Sequence, residues 1–536
     1  MPLRTSSPES VCSPPAQILP RPGRLWTVGG TLKGQPVARI AIIGSGYGGA
    51  VAARHLTRRG MAVDLIEMGV DWDTMAPMSN GRIFTGMASP NERSMWFKSR
   101  TDMPFAYLGG LDLINRRIGQ AAGVLDIEYF DQMKVYVGRG VGGGSLVNGG
   151  MAVTPSSSYF SKVLPQVDAE EMFGTYFPRA NASLKVARPP KDIIGTAEYY
   201  QFARTAARHA KRAGFEVVDV PNVYDWDHMR REHSGYGGAQ RSALAQEVIF
   251  GNNYGKRSLP KTILAEARAT GLVNLIQMTE VTRLVSDGDG YRLSLKTIDF
   301  KGAVLSQREV RYDKVVLAAG SLGTSRLVCR AQSDGDVPGL DSNEAIGQKW
   351  GPNGNTMLAI RHRDRTNVLQ AGMPALGIRN WNDSPSSVFA EIAPFPTSME
   401  LNTSVYLAIT GNENLAELRW DAQRGLVNTW TASHSAPSVA STKAMFDKVL
   451  AVVPGATYRT DLFEKQKQFT DYFSYHPLGG MVIGEATDLN GEVKGAPNLF
   501  VVDGSLIPGR IGVNPFVTIT ALAERNMDRL ASAGRL

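Results

Sequence analysis

Between residues 38 and 67 the chain carries the local pattern that most tightly constrains its backbone. Residues 38–43, Ala-Arg-Ile-Ala-Ile-Ile, are a short β-branched run of the kind buried in a parallel sheet. Gly44, Gly46 and Gly49 follow in a Gly-x-Gly-x-x-Gly spacing. Residues 50–59 then place Ala, Leu and Arg at helical spacing, Gly60 stops the helix, and residues 62–66 read as a second strand. The pattern predicts a β-α-β unit. The three glycines serve different ends: Gly44 makes the tight turn, Gly46 lets backbone approach a pyrophosphate, and Gly49 lets the helix pack on the strand. Glu67 ends the second strand at about the ~20-residue offset where an acid accepts hydrogen bonds from a ribose diol, which favours an adenosine without a 2′-phosphate. Dinucleotide binding is the expectation, and FAD and NAD both satisfy it.

Three later segments bear on the choice of cofactor. Residues 138–150 hold seven glycines in thirteen positions, a run rich in N–H groups and poor in side-chain bulk that suits a flat ring and a phosphate together. A flexible linker would not need the apolar Val141, Leu146 and Val147 found within it. Residues 314–324 form an apolar strand ending in small residues before a helix, a pattern that a buried strand with a tight turn explains nearly as well. Near the C-terminus, residues 498–504 read as a strand with an acidic end at Asp503. Asn514 and Pro515 then mark a helix start, as N-cap and first helical residue. The positive end of that helix favours negative charge, such as that of a reduced isoalloxazine.

Composition limits the remaining possibilities. Glycine makes up 56 of 536 residues, about a tenth against a usual ~7%, so backbone is expected to approach something closely in several places. Cys12 and Cys329 are the only cysteines, which excludes a disulfide framework and a Cys-rich metal site; no metal is expected. The net charge of +8 is spread along the chain without a dense basic block or a nucleic-acid-binding module, so no nucleic acid partner is expected. The longest nearly apolar stretch, 41–53, falls far short of the ~18 residues a membrane span needs. Residues 1–36 hold seven of the 29 prolines with no apolar periodicity and read as an extended arm. The arm lacks the apolar core of a secretory signal, so a cytoplasmic location is the default, with secretion open if the sequence is a mature form.

Taken in order, these segments resemble the glucose-methanol-choline (GMC) oxidoreductases, and within them the bacterial cholesterol oxidases with non-covalent FAD. The residues that carry the resemblance are the 138–151 run ending Asn148-Gly149-Gly150-Met151, then Gly251-Asn252-Asn253-Tyr254-Gly255-Lys256 and Phe389-Ala390-Glu391-Ile392-Ala393-Pro394. Tyr475-His476-Pro477-Leu478-Gly479-Gly480, Asp503-Gly504-Ser505-Leu506-Ile507-Pro508 and Gly512-Val513-Asn514-Pro515-Phe516-Val517-Thr518 complete the set. The similarity spans about residues 39–531 and leaves the Pro-rich arm outside it.

The resemblance implies an α/β fold: a Rossmann-like FAD-binding domain from 37–75, 255–345 and 491–536, and a substrate domain with a large β-sheet and covering helices from 76–254 and 346–490. It implies that His476 and Asn514 hold a substrate hydroxyl over the flavin. An imidazole is suited to accept the hydroxyl proton when hydride leaves the carbinol carbon, and whether His476 is the base or a positioning donor stays open. Glu391 takes the place of a base that moves a proton from C4 to C6 of a steroid; its apolar neighbours should raise its pKa by desolvation. Phe389 is implied as a gate for oxygen or substrate, with core packing as the equal alternative. Val147 stands where some relatives carry a His covalently linked to flavin, which implies dissociable FAD. Besides Gly44, Gly46 and Gly49, the implied cofactor contacts are Tyr47, Gly48, Glu67, Gly144, Asn148, Gly149, Met151, Val281, Asp503, Gly504 and Phe516. The implied partners are a sterol or other hydrophobic alcohol and O2 as electron acceptor, with peripheral membrane contact plausible because sterols reside in bilayers. The stretches 399–404 and 102–110 depart from the cholesterol oxidase pattern, which leaves the exact sterol open.

Overall fold

The computed structural model describes residues 38–536 apart from 87–88, 104–106, 109–110, 113–114, 236–238, 240–253, 382–386 and 396–398. The Pro-rich arm, Gly251-Asn252-Asn253 and part of 102–110 therefore lie outside the described residues. Residues 39–536 form one compact unit.

The β-α-β unit is present. Ile40–Ile43 and Val63–Ile66 are fully parallel neighbours, with Ile40 opposite Val63. The helix between them, Tyr47–Arg58, begins three residues before the expected position, because Gly46 adopts an extended N-cap conformation and its carbonyl accepts the first helical bond from Ala50 N–H at 2.8 Å. These strands belong to a five-stranded parallel sheet in the order Leu499–Val501, Lys314–Leu317, Ile40–Ile43, Val63–Ile66, Val273–Ile276. From Ile40–Ile43 the chain first adds a strand on one side and later strands on the other. That reversal of order opens a crevice at the carboxyl ends of the strands, where open α/β sheets bind ligands. Gly44, Glu67, Ala318 and Asp503 all lie just past those ends.

A second sheet stands opposite. Its seven antiparallel strands include the central run Thr356–Arg361, Thr403–Thr410, Val388–Ala393, Leu376–Asn380 and Glu216–Asp219. The two-residue period of a strand sorts its side chains. Val388, Ala390 and Ile392 pack with Ala203, Ala206, Met445 and Phe446 of the helices Gln201–Arg212 and Ala432–Val452, whereas Glu391 and Ala393 take the opposite face, toward the crevice. The parallel sheet draws all its strands from 37–75, 255–345 and 491–536, and the large sheet draws all of its strands from 76–254 and 346–490. A small sheet is drawn from the second set of segments: Met133–Gly138 pairs with Leu125–Phe130 and with Phe473–Ser474, so the glycine run and His476 leave from adjacent strands.

The C-terminal helix Phe516–Ser532 lies on Tyr47–Arg58, where the buried Glu524 carboxylate accepts from Arg54 and, at 2.6 Å, from the His55 ring. Among the described residues no helix is long and apolar enough to cross a membrane, and no group of three or more metal-binding side chains is found.

A side chain at Gly48 would overlap the carbonyl of Val502, just past the last strand of the parallel sheet, whereas one at Gly46 would meet nothing within 4 Å. Gly48→Ala is expected to lose at least ~3 kcal/mol of stability through overpacking. Gly46→Ala should stay within ~1 kcal/mol of the parent, as a helix-terminal alanine does. Urea unfolding of the two variants separates these outcomes, and equal losses would contradict the packing described.

Candidate functional site

A cavity of about 620 Å³ runs along the carboxyl edge of the parallel sheet and reaches the crevice-facing side of the large sheet. One wall is the glycine fingerprint. Gly44 has φ +98, and an added Cβ would overlap the Ala318 carbonyl; one at Gly49 would overlap the Gly44 carbonyl and press on Ala318. These two glycines bring helix and strands together, and Gly49 itself does not line the cavity. Gly46 differs: a side chain there would meet nothing within 4 Å and would project into the cavity at a helix N-terminus. The second glycine run forms the facing wall, with Gly143, Gly144, Asn148, Gly149, Gly150 and Met151 lining it.

Three separate motifs meet at Tyr47. Its ring stacks on Phe516 with centroids 4.9 Å apart and planes 13° from parallel, and its hydroxyl accepts from the Asn148 amide at 2.6 Å. Burial raises the Tyr47 pKa well above the usual phenol value. The Asn148 carbonyl in turn accepts from Lys256, a buried lysine whose pKa burial lowers well below the ordinary range. Asp503 fastens the sheet edge to the next helix: its carboxylate accepts from Ser505 N–H at 2.9 Å, Ser505 Oγ at 2.6 Å, Gly320 N–H at 2.9 Å and Thr324 Oγ1 at 2.5 Å. Glu67 lines the cavity and accepts from Ser45 and from Gly69 N–H. Val281 and Gly504 also line it.

Glu391, His476 and Asn514 all line the cavity, and Asn514 is hydrogen-bonded to Glu391. Glu391 projects from the middle of the large sheet, opposite Leu407 on one neighbouring strand and Gly377 on the other. Burial raises its pKa to about 8, partly offset by a hydrogen bond from the Asn514 amide. Its Oε1 has no hydrogen-bond partner among the described residues, and neither does Oδ1 of Asn514. The expected N-cap role of Asn514 needs correction. The helix begins at Phe516 with Pro515 in the flanking position, and no side chain caps it. Asn514 instead turns its amide to Glu391.

His476 is half-buried, open to the cavity, and burial lowers its pKa to about 3, so the ring is neutral. Its tautomer follows from Asn355. The Asn355 Oδ1 accepts from Tyr475 N–H at 3.3 Å, which turns the amide Nδ2 to His476 Nδ1 at 3.0 Å. A donor facing Nδ1 leaves the ring proton on Nε2. In that tautomer Nε2 carries the N–H and can donate a hydrogen bond.

Phe389 takes the core-packing alternative, and the stretch 399–404 lies off the cavity. Phe389 is 1% exposed and packs near Trp381, with centroids 6.4 Å apart; it lies in the core and does not line the cavity. The stretch 399–404 also lies off the cavity: the Glu400 carboxylate accepts from the backbone N–H groups of Thr366 and Asn367, holding a loop. Sequence reasoning assigned no role to Asn355, Ser45 or Lys256. Lys256 belongs to the 251–256 motif; Asn355 and Ser45 carry no signal of their own, because their importance is set by which atom they face.

The site can be set beside known proteins. The family model described as GMC oxidoreductase matches residues 42–334, a second of that description matches 416–523, and the GMC oxidoreductase C-terminal model matches 353–464. A cholesterol oxidase of Acinetobacter baumannii is 23% identical, covering 91% of this chain and 93% of the relative. A long-chain-alcohol oxidase of Arabidopsis thaliana is 44% identical over 64 residues, 11% of this chain and 9% of the relative. Among solved structures, an FAD-dependent oxidoreductase from Chaetomium thermophilum superposes with a TM-score of 0.63 at 13% identity, covering 93% of this chain and all of the other. A fungal aryl-alcohol oxidase gives 0.60 at 13% identity, with 93% and 100% coverage.

Asn355→Asp would place an acceptor against Nδ1 and should move the ring proton from Nε2 to Nδ1. Nitrogen-15 NMR of His476 is expected to show the Nε2–H form in the parent and the Nδ1–H form in the variant. An Nδ1–H parent would contradict the assignment.

Proposed function

Because the chain belongs to the GMC oxidoreductase family, we propose that it is an FAD-dependent oxidase of a 3β-hydroxysterol such as cholesterol, yielding the 3-ketone, shifting the 5-ene to the 4-ene, and reducing O2 to H2O2. The observation that carries this reading is that Glu391, His476 and Asn514 line the same cavity as the two glycine runs.

The residues fit FAD. The open space at Gly46 suits the pyrophosphate, Glu67 the ribose, and the 144–151 wall with Tyr47 and Phe516 the region of the flat ring. Val147 lines the cavity with an aliphatic side chain that offers no nucleophile, which supports non-covalent binding. The N-terminus of Phe516–Ser532 lies beside the cavity, where its dipole favours negative charge. FAD, when bound, supplies the two-electron acceptor for hydride from the carbinol carbon.

The remaining steps fall to side chains. His476 donates from Nε2 to the carbinol oxygen and fixes its position. With its ring proton on Nε2 and Asn355 on Nδ1, His476 has no free lone pair for the hydroxyl proton, so Glu391 in its ionised form accepts that proton. Once that proton has been given up to the H2O2 formed from O2, the re-ionised carboxylate takes a proton from C4 and returns it at C6, a round trip suited to a group whose pKa lies near 8. Asn514 steadies the carboxylate through its amide. Met357, Leu407, Ala393 and Pro394 give the cavity apolar walls that accept an apolar body and exclude water.

Those walls suit other hydrophobic alcohols too, and the local likeness to a long-chain-alcohol oxidase favours that as the second reading. Aerobic incubation with cholesterol and with a panel of long-chain alcohols, following peroxide and double-bond position, distinguishes the two. Silence with sterols and turnover of a linear alcohol would overturn the sterol assignment.

Glu391→Gln is expected to slow substrate-driven flavin bleaching by about a hundredfold, within the usual span for a general base. It should also leave the 5-ene ketone unisomerised; conjugated product at the parental rate would remove Glu391 from both steps.

The raised pKa also sets a pH dependence. Between the ordinary value of 4.5 and about 8 the folded protein holds a proton that the unfolded chain has released, so stability falls as pH rises through that window. Glu391→Gln lacks this loss. Its melting temperature relative to the parent should therefore rise between pH 5 and pH 9, and a constant difference would contradict the shift.

A further inference from the structure

Where the two glycine runs meet, Ser45 occupies the position between the first two fingerprint glycines and has no exposed surface. Its hydroxyl donates to Glu67 Oε2 at 2.6 Å, and its backbone N–H donates to the same oxygen at 3.1 Å. Gly142 N–H, from the second glycine run, donates to Ser45 Oγ at 2.9 Å. Gly69 N–H donates to the other oxygen, Glu67 Oε1, at 2.9 Å. One serine thus joins the fingerprint turn, the second glycine run and the acid at the end of the second strand.

A carboxylate offers about four lone-pair sites. Ser45 occupies both on Oε2 and Gly69 occupies one on Oε1, which leaves a single acceptor site on Oε1 of a residue that lines the cavity. A diol needs two. We infer that Ser45 is the positioning residue for the adenosine end of the cofactor: it clamps Glu67 so that its one remaining site accepts a single ribose hydroxyl. The inference rests on the cavity being an FAD site.

The terminal torsion of a glutamate is broad and has no strong preference of its own. The short bond from Ser45 Oγ to an ionised oxygen is the stronger, charge-assisted kind and supplies the missing restraint. Without the hydroxyl, Glu67 keeps only backbone donors. The effect reaches the cofactor through Glu67, at the ribose. FMN, which lacks the adenosine, should not register it.

The test titrates apo-protein with FAD and, separately, with FMN, following flavin fluorescence. Ser45→Ala is expected to weaken FAD binding about tenfold, the usual scale for a hydrogen bond to a charged group, and to leave FMN binding within about twofold of the parent. Glu67→Gln should show the same selectivity, and the double variant should bind FAD no more weakly than Glu67→Gln alone, because Ser45 acts through that carboxylate. Ser45→Cys keeps the shape with a poor donor and should reproduce the FAD-specific loss if the alanine variant folds badly. Equal losses for FAD and FMN, or fully additive losses in the double variant, would overturn the positioning role. A parent protein that takes up no FAD would overturn the cofactor reading itself, an outcome visible in the parental titration before any variant is measured.

Discussion

The structure depends on backbone approaching backbone at the carboxyl edge of the parallel sheet. Side chains at Gly44, Gly48 and Gly49 would overlap the carbonyls of Ala318, Val502 and Gly44 respectively. With none present, Tyr47–Arg58 settles onto the strands Ile40–Ile43, Lys314–Leu317 and Leu499–Val501 at contact distance. That approach brings together residues 44, 67, 320 and 503, which are far apart in the chain, and aims the first turn of the helix into the cavity. Gly46, whose missing side chain leaves open space, is the exception, and it opens onto the cavity.

Around Glu391 the cavity works by withholding water. Glu391 sits in the middle of a seven-stranded sheet with Asn514 as its hydrogen-bond donor, and desolvation raises its pKa toward neutrality. The same physics acts in the other direction on His476, where burial removes the charged form. Both shifts arise from placing polar groups against apolar walls.

The glycine run and His476 are coupled mechanically. Met133–Gly138 feeds the glycine run, and its neighbour Phe473–Ser474 leads to His476, so one small sheet positions cofactor wall and donor together. Tyr47, Asn148 and Phe516 close the remaining gap with a stack and a 2.6 Å hydrogen bond drawn from three separate motifs. Such cross-links explain why residues 39–536 behave as one compact unit although each large sheet draws its strands from its own set of segments.

By itself the sequence determined the β-α-β unit, the strand at 314–317 and the glycine-rich turns that line the cavity, because each is a local pattern whose spacing maps directly onto turn, strand and helix geometry. It also named Glu391, His476 and Asn514 through motif likeness. Tertiary structure alone decided what their atoms face. Asn514 looked like a helix cap and instead donates to Glu391, Phe389 looked equally like a gate or a core residue and is buried in the core, and the proton on His476 is set by Asn355, 121 positions away. Local spacing specifies backbone conformation, whereas tautomers, raised pKa values and free lone pairs belong to contacts between distant segments, which exist only once the chain has packed.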